Sequence, residues 1–317
     1  MVLDITFLLL GFGLLIIGAN WLVDGSSSLA KKFRVSDLAI GLTVVAFGTS
    51  TPELVVNIFA AVEGHHDIVF GNILGSNNFN LLFILGVAGL ITPLVVKSRT
   101  VWKEIPLSFA ALLLLFLIAN DFLIPEQNLL SRIDGLILLA IFLFFLFYVF
   151  TQVKTDVEVH RDYKEMSTLK IIALITLGLG GLVAGGRLVV VNAVDLATDM
   201  GVSEKIIGLT IVAAGTSLPE LVTSVIAGIK KNNDIAIGNI VGSNIFNIVF
   251  ILGVSAILRP QEYNPAFNTD IFMVAFGTVF LFFVMFAGKR HRLDRWEAGV
   301  MLLIYIGYTL FLIKVEI

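Results

Sequence analysis

The chain has 317 residues, is 57% hydrophobic and 14% charged, and has a mean hydropathy of +0.97. A soluble domain is about 25% charged, so a soluble globular protein is excluded, an integral membrane protein is indicated, and no room remains for a sizeable soluble domain. The formal net charge of −3 identifies no partner, and the absence of cysteine excludes disulfides and thiol-ligated metals without identifying a redox compartment.

Charge-poor apolar segments, each long enough to cross a bilayer, recur along the chain. Ten are expected, at about 3–24, 36–62, 67–92, 102–121, 131–152, 168–191, 203–229, 234–258, 268–288 and 295–314. The first lacks a basic leader and a small-residue cleavage site, so it reads as a span and not as a signal peptide. Trp21, Trp102 and Trp296 stand near segment ends, as interfacial aromatic belts do. The largest polar connection, TQVKTDVEVHRDYKEMSTLK at 151–170, divides the chain into two sets of five.

The two sets are repeats. Residues 34–86 align with 201–253 at a constant offset of 167 without a gap, and 30 of the 53 positions are identical. Outside that window the match persists in places, as in Gly18 with Gly185 and Pro93 with Pro260. Internal repeats are a transporter signature, and their relative orientation is readable from charge. With an external amino terminus, the inside loops hold 16 of the 21 Lys and Arg residues and the outside positions hold 5. Basic KKFR at 31–34 corresponds to DLATDMGVSEK at 195–205, and EGHHD at 63–67 corresponds to KKNND at 230–234. An odd number of spans per repeat inverts the second relative to the first, and the charge reversal agrees. The expected architecture is all-α and integral to the membrane: ten helices as two inverted five-helix repeats. The first covers 1–152 (repeat core about 36–92), a cytoplasmic linker covers 153–167, and the second covers 168–317 (repeat core about 203–259).

Two polar clusters recur in each repeat at mid-span. One is GTSTPE at 48–53, twinned with GTSLPE at 215–220. The other is GNILGSNNFN at 71–80, twinned with GNIVGSNIFN at 238–247. Residues three, four and seven apart share a helix face. Thr43, Ser50, Glu53 and Asn57 therefore form one polar stripe, and Thr210, Ser217, Glu220 and Ser224 form its twin. Asn72, Ser76 and Asn80 form a third, with Asn239, Ser243 and Asn247 opposite. Such stripes face the bundle interior or a water-filled path. Pro52 and Pro219 lack an N–H and clash with the carbonyls of Gly48 and Gly215, so a kink is expected that frees carbonyls at 46–49 and 213–216. Unpaired carbonyls at membrane depth need a partner, and a dehydrated hard cation is one. No Lys or Arg lies between Val35 and Val96, so Glu53 has no basic neighbour in its own repeat. Two carboxylates without basic partners are either protonated or neutralised by a cation. Charge counting favours a divalent ion, and the lack of nitrogen and sulfur ligands at depth argues against transition metals.

These paired motifs resemble the alpha repeats of the cation/calcium antiporters, most closely the sodium/calcium exchangers, over both halves of the chain. The resemblance implies a ten-helix inverted-repeat fold and electrogenic exchange of Ca2+ for Na+ by alternating access. It implies that Glu53 and Glu220 are the main Ca2+ ligands, with main-chain oxygens near Thr49 and Thr216. Flanking Na+ sites would use the Ala46 carbonyl, Ser50 and Ser76 in one repeat and the Ala213 carbonyl, Ser217 and Ser243 in the other, besides the two glutamates. Asn80 and Asn247 would close the centre. Potassium-dependent members carry Asp where this chain has Asn247, which argues against potassium co-transport.

Other readings stand beside these. A Ca2+/H+ (or other divalent cation/H+) antiporter is compatible with a protonatable glutamate pair. A passive channel is less consistent with broken helices in repeats, and an intramembrane enzyme lacks a His, Cys or paired Asp at depth. Asn72 and Asn239 read as helix-packing groups, His65, His66 and Asp67 as a solvated loop, and the basic cluster at 289–295 as a topology anchor able to meet anionic lipid. The expected partners are Ca2+, Na+ and lipid, with no nucleic acid, no cofactor and a monomeric unit of function. The expected location is a prokaryotic cytoplasmic membrane with both termini outside.

Overall fold

The structure, a computed structural model, describes residues 2–120, 128–152, 166–200, 213–287 and 291–316. Helix α1 (Val2–Phe33) is followed by α2 (Asp37–Thr49), α3 (Thr51–Glu63) and α4 (His66–Ile91). Next come α5 (Glu104–Ala119), α6 (Arg132–Gln152) and α7 (Thr168–Asp199). The chain continues through α8 (Ala213–Thr216), α9 (Leu218–Ile229), α10 (Asn233–Leu258), α11 (Asn268–Val284) and α12 (Arg295–Glu316). Strands β1 (Leu94–Val95), β2 (Leu129–Leu130), β3 (Gln261–Glu262) and β4 (Arg292–Leu293) are two-residue pairings in loops.

Among the described residues, eight helices are long and apolar enough to cross a membrane, and the bent pair α2–α3 makes a ninth. The expected span 36–62 is thus broken by a 49° bend. The expected span 203–229 is represented by α8 and α9, and its part at 203–212, with Thr210, lies outside the described residues. The first and sixth spans run longer than hydropathy suggests. Each is 32 residues, because the polar stretch that ends each apolar run continues as helix. Ser36, Ser167 and Asn232 cap helix starts by accepting a backbone N–H, and Gly64, at φ 87°, ends α3 in the left-handed conformation.

Helices α4 and α10 form the centre. Of their most apolar windows, 78% and 83% of residues are buried, against 22% to 39% for the other long helices. The outer helices turn large apolar side chains such as Leu9, Phe144, Phe147, Leu303 and Leu310 outward, as lipid-facing surfaces require.

Helices α1 and α7 cross through glycine. A Cβ on Gly18 would meet the Gly178 carbonyl at 2.7 Å, and one on Gly185 would meet the Gly11 carbonyl at 2.7 Å. Backbone lies on backbone there, the close approach that small residues allow in membranes. The 167 offset maps one contact onto the other, since Gly11 corresponds to Gly178 and Gly18 to Gly185.

Loop contacts sort the connections onto two ends of the bundle. At one end β1 pairs antiparallel with β4, Lys97 bridges Asp234 at 2.8 Å, Lys230 bridges Asp24 at 2.7 Å, and Asn232 bonds Ser27 and Asp37. At the other end β2 pairs antiparallel with β3, His66 bonds Gln261, and an Arg259 Nη1 donates to the Val62 carbonyl. Lys97, Lys103, Lys230, Lys231, Arg292 and Arg295 lie at the first end. Arg132 and Arg259 lie at the second.

Candidate cation-binding site

The site is built where α2 meets α3 and α8 meets α9, against α4 and α10. Ser50 (φ −82°, ψ 9°) and Ser217 (φ −90°, ψ 9°) leave helical geometry identically, each two residues before a proline in the first turn of the next helix. Pro52 and Pro219 have no N–H to continue the ladder, and a helix start is where that lack does no harm. The break leaves Glu53 and Glu220 in the first turns of α3 and α9, where the helix dipole favours a carboxylate. It also points the carbonyl ends of α2 and α8 toward the same region, where a cation is favoured.

The expectation of freed carbonyls needs correcting at Ala46. Its oxygen accepts the Ser50 N–H at 3.0 Å and, more weakly, the Thr49 hydroxyl at 3.4 Å. The proline produces a bend with its last turn closed, because Ser50 keeps a bond to the preceding helix while starting the next. A carbonyl has a second lone pair, so Ala46 remains a possible oxygen donor.

Both glutamates are buried, at 1% and 0% exposure. Each accepts from the other repeat. The Ser217 hydroxyl donates to Glu53 Oε1 at 2.8 Å, and the Ser50 hydroxyl donates to Glu220 Oε1 at 2.9 Å. Ser76 and Ser243 add longer contacts to the same oxygens, at 3.4 and 3.5 Å. The buried Thr216 hydroxyl meets no hydrogen-bond partner. The expected flanking groups put Ser50 with Ser76 and Ser217 with Ser243. The hydrogen bonds instead group them crosswise, Ser217 with Ser76 around Glu53 (3.2 Å between the hydroxyls) and Ser50 with Ser243 around Glu220. Each serine at a helix break projects across the repeat boundary, which sequence spacing within one repeat does not reveal.

Asn80 and Asn247 lie on the central helices, inside the wide helical turns Phe79–Ile84 and Phe246–Ile251. Asn80 donates to Asn244 Oδ1 at 3.1 Å, and Asn247 donates to Asn77 Oδ1 at 2.9 Å. Asn77 and Asn244 in turn donate to each other's backbone carbonyl, at 3.3 and 3.4 Å. Four asparagines thus clasp α4 to α10. Asn77 and Asn244 are the functional residues that sequence reasoning left without a role. Their signal was present, since both repeats read GSN at the same offset.

Asn72 and Asn239 serve packing, as expected. Each donates to the backbone carbonyl of its own repeat's glutamate and to the neighbouring stripe, Asn57 at 2.6 Å and Ser224 at 2.9 Å. Asn239 also accepts from Thr49 at 2.9 Å.

Among the buried oxygens that meet no protein donor are Glu53 Oε2, Glu220 Oε2, Asn80 Oδ1 and Asn247 Oδ1. These four form two pairs under the 167 offset. Neither glutamate makes an ion pair among the described residues. Among the described residues, buried carboxyl and amide oxygens without a basic partner or a nitrogen or sulfur ligand fit a hard cation. Fold and site together define a membrane transporter for cations.

The comparisons agree. The family described as Sodium/calcium exchanger protein matches residues 3–151 and 170–314, and this chain belongs to that family, whose members are exchangers. It is 37% identical over 317 residues to the inner membrane protein YrbG of Escherichia coli K12, covering 95% of this chain and 94% of that one. It is 30% identical over 343 residues to the sodium/calcium exchanger MaX1 of Methanosarcina acetivorans, covering 96% and 97%. Its structure resembles that of the sodium-calcium exchanger NCX_Mj soaked with zero Na+ and Ca2+, at a TM-score of 0.83 and 31% identity over 98% of this chain and 99% of that one.

Proposed function

We propose that the protein is an antiporter that exchanges Ca2+ for Na+ by alternating access, built as two inverted five-helix repeats, 1–152 and 168–317, joined by a linker at 153–167. The reciprocal pair Ser50–Glu220 and Ser217–Glu53, with one donor-free oxygen left on each glutamate, is the observation that carries the reading. Ca2+ is held between Glu53 and Glu220, whose two charges it cancels, with main-chain oxygens at Thr49 and Thr216 completing its shell. Na+ ions occupy the flanking groups: Ser217, Ser76 and Glu53 with the Ala46 carbonyl at one side, and Ser50, Ser243 and Glu220 with the Ala213 carbonyl at the other. Asn80 and Asn247 turn their oxygens toward the centre.

Competition between the ions follows from shared ligands. Both glutamates are needed to neutralise one divalent ion, and monovalent ions drawing on the same carboxylates leave none for it. Exchange is the consequence. With the basic end of the bundle on the cytoplasmic side, both termini lie outside.

Flux in proteoliposomes tests the proposal, with Na+, K+ and pH gradients imposed separately. Calcium uptake driven by an outward Na+ gradient is the expected result. Uptake that follows pH and ignores sodium selects the Ca2+/H+ reading.

A further inference from the structure

The two ends of the bundle are not packed alike. Helix α1 packs along α9, on which Val222 and Ile226 are partly buried. The corresponding packing of α7 on α3 is not developed, and Val55 and Phe59, the counterparts of those residues at the offset of 167, are 46% and 64% exposed. At the basic end a specific ion pair joins the elements. Lys230, at the end of α9, reaches Asp24 on α1 at 2.7 Å and the Asn20 carbonyl one turn earlier at 3.2 Å. Position 230 therefore docks between positions 20 and 24 of α1.

The offset maps those positions onto the opposite end. Lys230 corresponds to Glu63, Asn20 to Arg187 and Asp24 to Val191. The glycine contacts between α1 and α7 obey the same offset, so it holds in these helices. Polarity is reversed and the charge on the long helix moves one turn, but an acid and a base are again set to meet. Glu63 is exposed beside His65 at 3.4 Å, and Arg187 is exposed without an ion pair among the described residues.

We infer that the protein carries two alternately formed ion-pair latches: Lys230–Asp24, engaged here and closing the basic end, and Glu63–Arg187, engaged when α7 closes on α3 at the opposite end. The inference rests on the alternating-access reading. A latch at each end with similar strength keeps the two access states close in free energy, which exchange in both directions requires. Partly exposed ion pairs are suited to this, since they are weak enough to break in every cycle.

The chain has no native cysteine, so paired cysteines report cleanly. E63C/R187C and D24C/K230C proteins are reconstituted, treated with a short bismaleimide under varied Na+ and Ca2+, and assayed for exchange. Crosslinking of both pairs, each arresting exchange, is the expected result. Adding Lys230→Met should speed E63C/R187C crosslinking about two- to fivefold, because removing one latch shifts the population toward the other state. Charge reversal at Glu63 or Arg187 alone should slow exchange, and the double swap Glu63→Arg with Arg187→Glu should restore it. Intact exchange without E63C/R187C crosslinking, no acceleration by Lys230→Met, or a double swap no better than the single reversals overturns the latches alone. Continued exchange by both crosslinked proteins overturns alternating access itself.

Discussion

Glu53 and Glu220 each give one carboxylate oxygen to hydroxyls and keep the other free of protein donors. Replacing either by glutamine leaves a divalent ion with one compensating charge. An unpaired buried charge is worth about 3 kcal/mol, so Glu53→Gln and Glu220→Gln should each weaken Ca2+ binding roughly a hundredfold and abolish transport. Calorimetric titration of purified protein measures the first and vesicle uptake the second. The crosswise serines allow a subtler test. Ser217→Ala should affect the Glu53 side, and Ser50→Ala the Glu220 side, each lowering sodium activation more than calcium affinity. Measured sodium dependence of calcium efflux distinguishes this from the within-repeat grouping, under which Ser50 and Ser76 would behave as one unit.

At the scale of elements, contact type decides which glycines tolerate a side chain. A Cβ at Gly18 meets the backbone of α7, at 2.7 Å from the Gly178 carbonyl, whereas one at Gly48 meets only the end of the Leu179 side chain, at 2.4 Å. A leucine end can rotate away and a helix backbone cannot. Gly18→Ala should destabilise by about 1–3 kcal/mol and Gly48→Ala by less, read as the order of thermal unfolding midpoints in detergent. The asparagine clasp gives a second case. Asn77→Ala removes a donor to the Asn244 carbonyl and the acceptor of Asn247, and leaving buried polar groups unpaired is expected to cost about 1–3 kcal/mol. Asn244→Ala should match it, being its counterpart.

These elements mark what the sequence makes legible. The doubled GTSxPE and GNxxGSNxFN motifs point to the candidate site, because identical polar residues at a fixed spacing in apolar segments stand out against lipid-compatible composition. The bend at Ser50 followed from a proline whose missing N–H is a local property. The crosswise hydrogen bonds and the roles of Asn77 and Asn244 did not follow, since both depend on how one repeat sits against the other. The 32-residue lengths of α1 and α7 were also missed. Hydropathy ends at the first polar residues, while the helices continue as long as protein neighbours cover them, as buried Ser26, Ser27 and Ser28 show.

For the whole molecule, segregation of basic residues to the end that holds β1 and β4 makes a topological claim. A cysteine introduced at Lys97 should be labelled by a membrane-impermeant reagent only after the cytoplasmic face is opened, and one at Glu262 from the outside of intact cells. In the proposed mechanism, exchange depends on the central site serving sodium and calcium by turns. The most direct measurement is accumulation of radioactive Ca2+ by sodium-loaded proteoliposomes, for the native chain and for Glu53→Gln and Glu220→Gln. Uphill accumulation that collapses when the sodium gradient is dissipated, and that is absent from both variants, is the expected result. Accumulation that is indifferent to sodium, or retained by either variant, would contradict a calcium ion shared by the two glutamates and displaced by sodium.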